Sequence, residues 1–412
     1  MTFSPGGADR TRQELEPARD AEALAVSVDV SAVPAQPVGA GRYTIDLVAA
    51  LATRADLQLS LWSRRDDADR WTSPGPGPAS PTSSLRVVAR APRSRPFRLA
   101  WEQLRLPGLL RDSSVAVHHA PHYTMPERAD IACVVTVHDL TFFDHPEWHE
   151  RTKVVVFRRA INVAARRADA LICVSAHTAD RLRERCRPTG RVFVVPHGVD
   201  HARFRPDDSG RDADILRRLG VHAPYLLFVG TLEPRKAVPV LLDAFDRMAG
   251  GRPDVTLVLA GRPGWGVSAV ERALGAMRST ARVVRLGYVP DEAVPALLRG
   301  AAAAVYPPLE EGFGLPALEA MACGTPLVTT AGTAMAELTG GAAALVTPGA
   351  VSELADAMVE TLDGGSAVED RRRRGLAIAS EHTWAASAAE HVTAYRWAAS
   401  HRSPVLRRGD GP

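Results

Sequence analysis

Lysine is nearly missing from this chain: of its 50 basic residues only Lys153 and Lys236 are lysines, and the rest are arginines. A lysine kept against that bias marks a position where a compact ammonium does something that a planar guanidinium does not. Cysteine is scarce as well. The four present, Cys133, Cys173, Cys186 and Cys323, have no close paired spacing, so reduced core thiols are expected rather than a metal knuckle or a disulfide framework. No run of about 18 apolar residues occurs, which argues against a membrane-spanning helix. Residues 1–20 are polar and charged, so no secretory leader is read there and a cytoplasmic location is expected. The formal net charge of +3 is too small to argue for a nucleic-acid partner.

What is present describes a soluble globular chain: 412 residues, 46% apolar and 24% charged, enough for two domains with separate cores. Residues 1–21 mix Arg, Glu, Pro and Gly without periodicity and read as a disordered tail. The next segment, ALAVSVDVSAV, then PAQPVGAGRY, then TIDLVAALATRA, is strand, glycine turn, helix, the first unit of a Rossmann-like sheet. Gly39 and Gly41 let the backbone approach a ligand there. Residues 71–84 are rich in Pro, Gly and Ser and read as an exposed loop.

The run RAPRSRPFRLAWEQLRLPGLLRD sets Arg90, Arg93, Arg95, Arg98, Arg105 and Arg111 among Phe97, Leu99, Trp101, Leu104 and Leu106. Such a run suits either a solvated face packed on its apolar side or contact with an anionic membrane surface. Further on, the apolar strand IACVVTV delivers His138 and Asp139 at its C-terminal end, where open α/β sheets place ligand-binding groups. Residues 204–222 are polar and proline-interrupted, and read as the connection between domains 22–203 and 223–383. Residues 384–403 read as a terminal helix and 404–412 as a second tail.

The second half restarts the alternation with YLLFVGTLEPRKAVPVLLDAFDRMA. Arg235 and Lys236 stand at the N-terminal end of an apolar helix, which favours phosphate. The chain then organises itself around VYPPLEEGFGLPALEAMACGTPLVTT. A strand runs into a loop carrying Glu310, Glu311, Gly312, Phe313 and Gly314, then into a helix, and Gly324 closes it. A glycine-rich turn opening a helix aims unpaired amides at one point, which suits phosphate or sugar oxygens. Glu311 and Glu319 line one flank of that cavity. Residues 301–350 hold no Lys or Arg, so a bound anion must draw its counter-charge from elsewhere, and Arg235 with Lys236 are the candidates.

The spacing E-x7-E within EGFGLPxLEAMACGxP resembles the signature of the retaining, nucleotide-sugar-dependent glycosyltransferases of family four, whose architecture, GT-B, is two Rossmann-like domains facing each other across a cleft. TVHDLTF, FVGTLEPRK and the VGAGRY loop are similar to further family strings, so the resemblance spans about residues 25–400. It implies a hexosyltransferase with an acceptor domain first and a donor domain second, the terminal helix crossing back onto the first. By the same resemblance His138, Arg235, Lys236 and Glu311 do the catalytic work. Gly39, Gly41, Gly230, Thr231, Gly287, Tyr288, Val289, Phe313, Gly314, Leu315 and Glu319 bind the donor. No metal or cofactor is implied, and no DxD pair sits in a metal-binding context. The expected donor is a nucleotide sugar, GDP-mannose before UDP- or dTDP-sugars, and the acceptor a glycan, lipid-linked or small-molecule hydroxyl.

Ala237 departs from the family's Gly or Asn, as do Met335, Ala336 and Gly341 from its usual residues, which touches the choice of sugar. An epimerase or phosphorylase on the same fold, or an inactive sugar-nucleotide-binding protein, are the competing readings.

Overall fold

The computed structural model describes residues 23–72, 84–207 and 210–402. Both expected tails, 1–21 and 404–412, and residues 73–83 of the expected loop lie outside the described residues.

Two all-parallel sheets organise the chain. The first holds β1 (Leu24–Asp29), β2 (Leu57–Arg64), β3 (Ser84–Ala91), β4 (Val117–Ala120), β5 (Ala132–Val137), β6 (Ala170–Cys173) and β7 (Arg191–Val194), in the order β3-β2-β1-β4-β5-β6-β7. The second holds β8 (Tyr225–Val229), β9 (Thr256–Ala260), β10 (Val283–Gly287), β11 (Ala303–Tyr306), β12 (Leu327–Thr330) and β13 (Ala344–Val346), in the order β10-β9-β8-β11-β12-β13. Helices cover both faces, which is why the central strands read as unbroken apolar runs: every residue of ACVVTV in β5 is buried. In register, Val26 stands opposite Leu59 on one side and Val117 on the other.

Each sheet winds outward in two directions, so its order reverses once, between β1 and β4 and between β8 and β11. At such reversals the connecting helices diverge to opposite faces and leave a crevice at the C-terminal strand ends. This is the two-domain GT-B architecture expected from the sequence.

Trp71 departs from expectation. It sits in a short helix, Asp69–Thr72, and is only 5% exposed. Its indole area favours burial, and Asp67 accepts from Nε1 at 3.3 Å, so the polar edge is satisfied as well.

The terminal helix, Trp384–Ser400, lies on the first domain, against the helix Ala40–Ala52. Trp384, Ala388, Val392, Tyr395 and Ala398 join the first domain's core. The two crossing segments touch where Val199 pairs with Thr383. A Cβ on Gly198 would fall 2.2 Å from the Trp384 nitrogen, so only glycine permits this approach.

One buried chain of hydrogen bonds ties that helix down, and a single carbonyl fixes its direction. His391 Nδ1 donates to the Ser387 carbonyl at 2.7 Å, so its Nε2 accepts from the Tyr43 hydroxyl at 2.8 Å. Tyr43 therefore accepts from Thr136 at 2.9 Å, and Thr136 accepts from His119 Nε2 at 2.8 Å. His119 Nδ1 is left to accept from Tyr395 at 2.8 Å. Every member is satisfied only with both histidines neutral.

Burial holds His391 down to about 4, and it pushes His118, also fully buried, down to about 3. A lowered folded-state pKa gives stability that is fully present above the unfolded value of about 6.5 and drains away as pH falls towards 4 and 3. Each such histidine should cost about 2 kcal/mol of stability at pH 5 relative to pH 7. A His391→Gln variant isolates this contribution from other buried groups: its urea midpoint should fall less between pH 7 and pH 5 than that of the wild type, and an equal fall in both would contradict the assigned network.

Candidate active site

At the second reversal, β8 runs through Gly230 and Thr231 into a tight turn, Pro234–Lys236, and then the helix Val238–Ala249. Between turn and helix Ala237 takes a left-handed φ of 52°, which is why glycine or asparagine is the easier residue there. β11 ends beside this turn at Tyr306 and continues into the acidic loop. The Leu309 amide donates to the Arg235 carbonyl at 2.8 Å, so the two junctions are joined by backbone as well as side chains.

The charged groups converge on Glu311. Arg235 Nη1 donates to its two oxygens at 3.1 and 3.0 Å, and Arg235 Nε pairs with Glu233 at 2.8 Å. Lys236 Nζ donates to Glu311 Oε2 and to the Tyr306 hydroxyl, which in turn donates to Glu311 Oε2 at 2.7 Å. The ammonium lies 4.6 Å from the Tyr306 ring centre. A point charge fits that slot, whereas a guanidinium fork needs a plane of its own, which accounts for the lysine.

Lys236 and Glu311 are 7% and 8% exposed. Burial alone would raise a carboxyl, but Arg235 and Lys236 outweigh it and hold Glu311 well below the usual carboxylate range. Burial, then the neighbouring Arg235 charge, lowers Lys236. For Arg235 burial is overcome by Glu311 and Glu233, and its pKa rises.

The first domain meets this site from the other side. His138, just beyond β5, donates from Nε2 to the Pro121 carbonyl at 2.8 Å, and burial lowers its pKa. Its ring stands edge-on to Tyr43 at 5.0 Å. Phe313 is buried against His197, which follows β7, with ring centres 4.5 Å apart. Gly314, at φ 103°, opens the helix Leu315–Ala322, with Leu315 half-buried. The amides of Phe313 and Gly314 donate to no acceptor among the described residues.

Glu319 does not share the Glu311 cage, although the sequence set both carboxylates on one flank. Burial pushes it up to about 7, opposed by Arg42 and Arg203 and reinforced by Asp46. Arg42 also pairs with Asp291 across the cleft. Gly39, at φ 50°, has open space where a Cβ would stand, whereas a Cβ on Gly41 would fall 3.1 Å from Pro34, so Gly41 serves the loop's own packing. Gly230 stands at φ 151°, a Cβ on Gly261 would fall 1.7 Å from the Gly230 carbonyl oxygen, and Thr231 is half-buried.

Gly287 borders an open cavity of about 380 Å³ that Leu232, Leu259, Gly261, Pro263 and Leu286 also line. Tyr288 is 40% exposed with the Arg262 guanidinium 5.5 Å from its ring, and Val289 is buried. Tyr306, His197, Arg42 and Asp291 were not singled out from the sequence. Tyr306 alone had a local signal, as the last residue of the strand that delivers the loop. Among the described residues no group of three or more His, Cys, Asp or Glu side chains is arranged to hold a metal ion.

This arrangement defines a GT-B transferase cleft, and comparison with known proteins agrees. Residues 37–203 match the model described as Glycosyltransferase Family 4, and residues 223–364 the model described as Glycosyl transferases group 1. The chain is 28% identical over 366 residues to the O-antigen chain mannosyltransferase B of Escherichia coli, covering 87% of this chain and 96% of that protein. It is 30% identical over 333 residues to the D-inositol 3-phosphate glycosyltransferase of Actinosynnema mirum, covering 71% and 76%. The crystal structure of HepE from Anabaena, solved with UDP-glucose, superposes with a TM-score of 0.69 at 20% identity, covering 90% of this chain and 99% of that one. The chain belongs to glycosyltransferase family 4 and is a glycosyltransferase.

The raised Glu319 carboxyl gives a direct test. Its folded-state value of about 7 lies above the unfolded one, so Glu319 destabilises the fold as pH rises through that window. Replacing it as Glu319→Gln should raise the melting temperature more at pH 8 than at pH 5. Carbon-13 titration should lose one carboxyl signal with a midpoint near 7.

Proposed function

We propose that this glycosyltransferase moves a hexose, mannose favoured, from a nucleoside diphosphate, GDP favoured, to a hydroxyl of a glycan, lipid-linked or small-molecule acceptor, with retention of anomeric configuration. The convergence of Arg235, Lys236 and Glu311 beneath unpaired amides, with His138 facing them from the other domain, is the observation that carries this reading. The near full-length likeness to a mannosyltransferase supports the sugar.

Without donor, Glu311 neutralises the two cations. A diphosphate entering the site takes over that pairing and frees the carboxylate to accept from sugar hydroxyls. Arg235, Lys236 and the amides of Gly314 and Leu315 then meet the charge that builds on the departing diphosphate, which is electrostatic preorganisation. Glu319 holds the ribose, and His138 the sugar. Gly230 and Thr231 border the phosphates. The base occupies the cavity beside Gly287, Tyr288 and Val289. Melting shifts with GDP-mannose, UDP-glucose and a dTDP-sugar separate the donors, and the largest shift should come from GDP-mannose.

Lys236→Ala should lower turnover about 100-fold or more while the far-UV spectrum stays unchanged. Lys236→Arg should recover little, because the slot beside Tyr306 lacks room for a fork. Wild-type turnover in either variant would remove the phosphate role.

The acceptor reading has a surface to match it. Phe97 and Leu104 are 70% and 75% exposed on the helix Arg95–Leu104, and Val155 is 70% exposed on the helix Arg151–Arg167. Arg95 over the Phe157 ring brings these helices together, and the same helices carry Arg98, Arg151 and Arg159. No helix among the described residues is long and apolar enough to cross a membrane. Exposed apolar side chains on arginine-bearing helices suit docking on an anionic lipid surface that presents the acceptor. Vesicles containing phosphatidylglycerol should bind the protein and release it as salt rises, and Phe97→Ser should weaken binding. Equal binding to phosphatidylcholine vesicles would refute the electrostatic docking.

A further inference from the structure

The acidic loop divides its allegiance residue by residue. Glu311 turns back to Arg235 and Lys236 of its own domain. Its two neighbours turn to the other domain. Glu310 Oε1 accepts from His177 Nε2 at 2.6 Å, and the Gly312 carbonyl accepts from Ser175 Oγ at 2.7 Å and Thr178 Oγ1 at 3.2 Å. The Gly312 Cα abuts the His138 backbone so closely that a Cβ would lie 1.7 Å from the His138 carbonyl oxygen.

A second element of the same domain reaches the same place. Glu337, on the short helix Ala334–Thr339, accepts from the Ala176 amide at 2.8 Å and the His177 amide at 3.0 Å. These are the first free amides of the helix Ala176–Cys186, whose own cap, Ser175, satisfies only Thr178. One domain thus supplies the acid that caps the other's helix. All the first-domain partners lie within one helical turn.

We infer that this contact is an interdomain clasp in which Ser175, His177, Glu310 and Glu337 act as positioning residues, setting the loop so that Glu311 and His138 face one substrate only when the cleft is shut. The inference rests on the donor role proposed above for the Glu311 loop.

The clasp's composition suits reversible use. Its contacts are hydrogen bonds that water can replace on opening, with little free energy lost. Beside it lies an interdomain cavity of about 180 Å³, bordered by Ser175, Pro196, Phe313, Glu337, Leu338 and His382, so the seam is not sealed by close packing. The side chains facing His177 are Glu310, Glu337 and Arg181, two acids against one base, which favours a charged His177 in the closed form. Glu337 is solvent-exposed, so truncating it leaves no cavity in a core.

Two independent variants test this. Gly312→Ala adds a methyl whose nearest neighbours are His138 and Asp139 of the other domain, and so wedges the cleft. The double variant His177→Ala/Glu337→Ala removes the side-chain bonds without adding bulk. Small-angle scattering should give both a larger radius of gyration than the wild type. Calorimetric Kd values for GDP and UDP should stay within about twofold, because the phosphate-binding cations all lie in the second domain, while kcat falls at least about tenfold.

Unchanged scattering in both variants overturns the clasp even if turnover falls. Scattering and nucleotide binding need no reaction. If the wild type proves to transfer no sugar, the proposed chemistry fails while the clasp is still decided by the radius of gyration.

Discussion

A buried carboxylate held by two cations is the constraint around which the second domain is arranged. Glu311, Arg235, Lys236 and Tyr306 come from two separate strand-to-helix junctions, and none could be buried alone. Removing one partner from such a group typically costs about 3–5 kcal/mol, because the other charge is left without water or counter-charge. The group therefore fixes the two junctions against each other. It also leaves the protein with a site whose charge is matched internally.

Closing the cleft adds what the second domain cannot provide by itself. His138 and His197 reach the loop from the C-terminal ends of β5 and β7, and Phe313 packs on His197. Gly312 makes that meeting possible by having no side chain. The topological reversal in each sheet explains why both domains present loops, not helix faces, to the cleft.

The terminal helix links the far end of the chain to this geometry. Tyr43 lies at the crossing: its hydroxyl joins Thr136 to His391, and its ring touches His138 and His197. A helix that follows the second domain in sequence thus holds residues beside His138 at the first domain's lip. The network is neutral throughout because burial leaves no room for a histidine charge.

The sequence alone determined what depends on neighbours along the chain. Strand, glycine turn and helix recur because those residues have local backbone preferences, and the pairing of Arg235 with Lys236 and the EGFG turn marked two helix starts as the candidate site. The lysine bias pointed to Lys236, and the lack of cations in 301–350 pointed from Glu311 to the 235 turn. Tertiary structure decided the rest. Tyr306 as the floor of the lysine slot, Glu310 and Glu337 as hands across the cleft, and His391 bonded to Tyr43 join residues from 70 to 348 positions apart. Trp71 went inward where loop composition pointed outward. Hydrogen-bond partners and burial are properties of where distant segments meet, and periodicity along a chain carries no record of that.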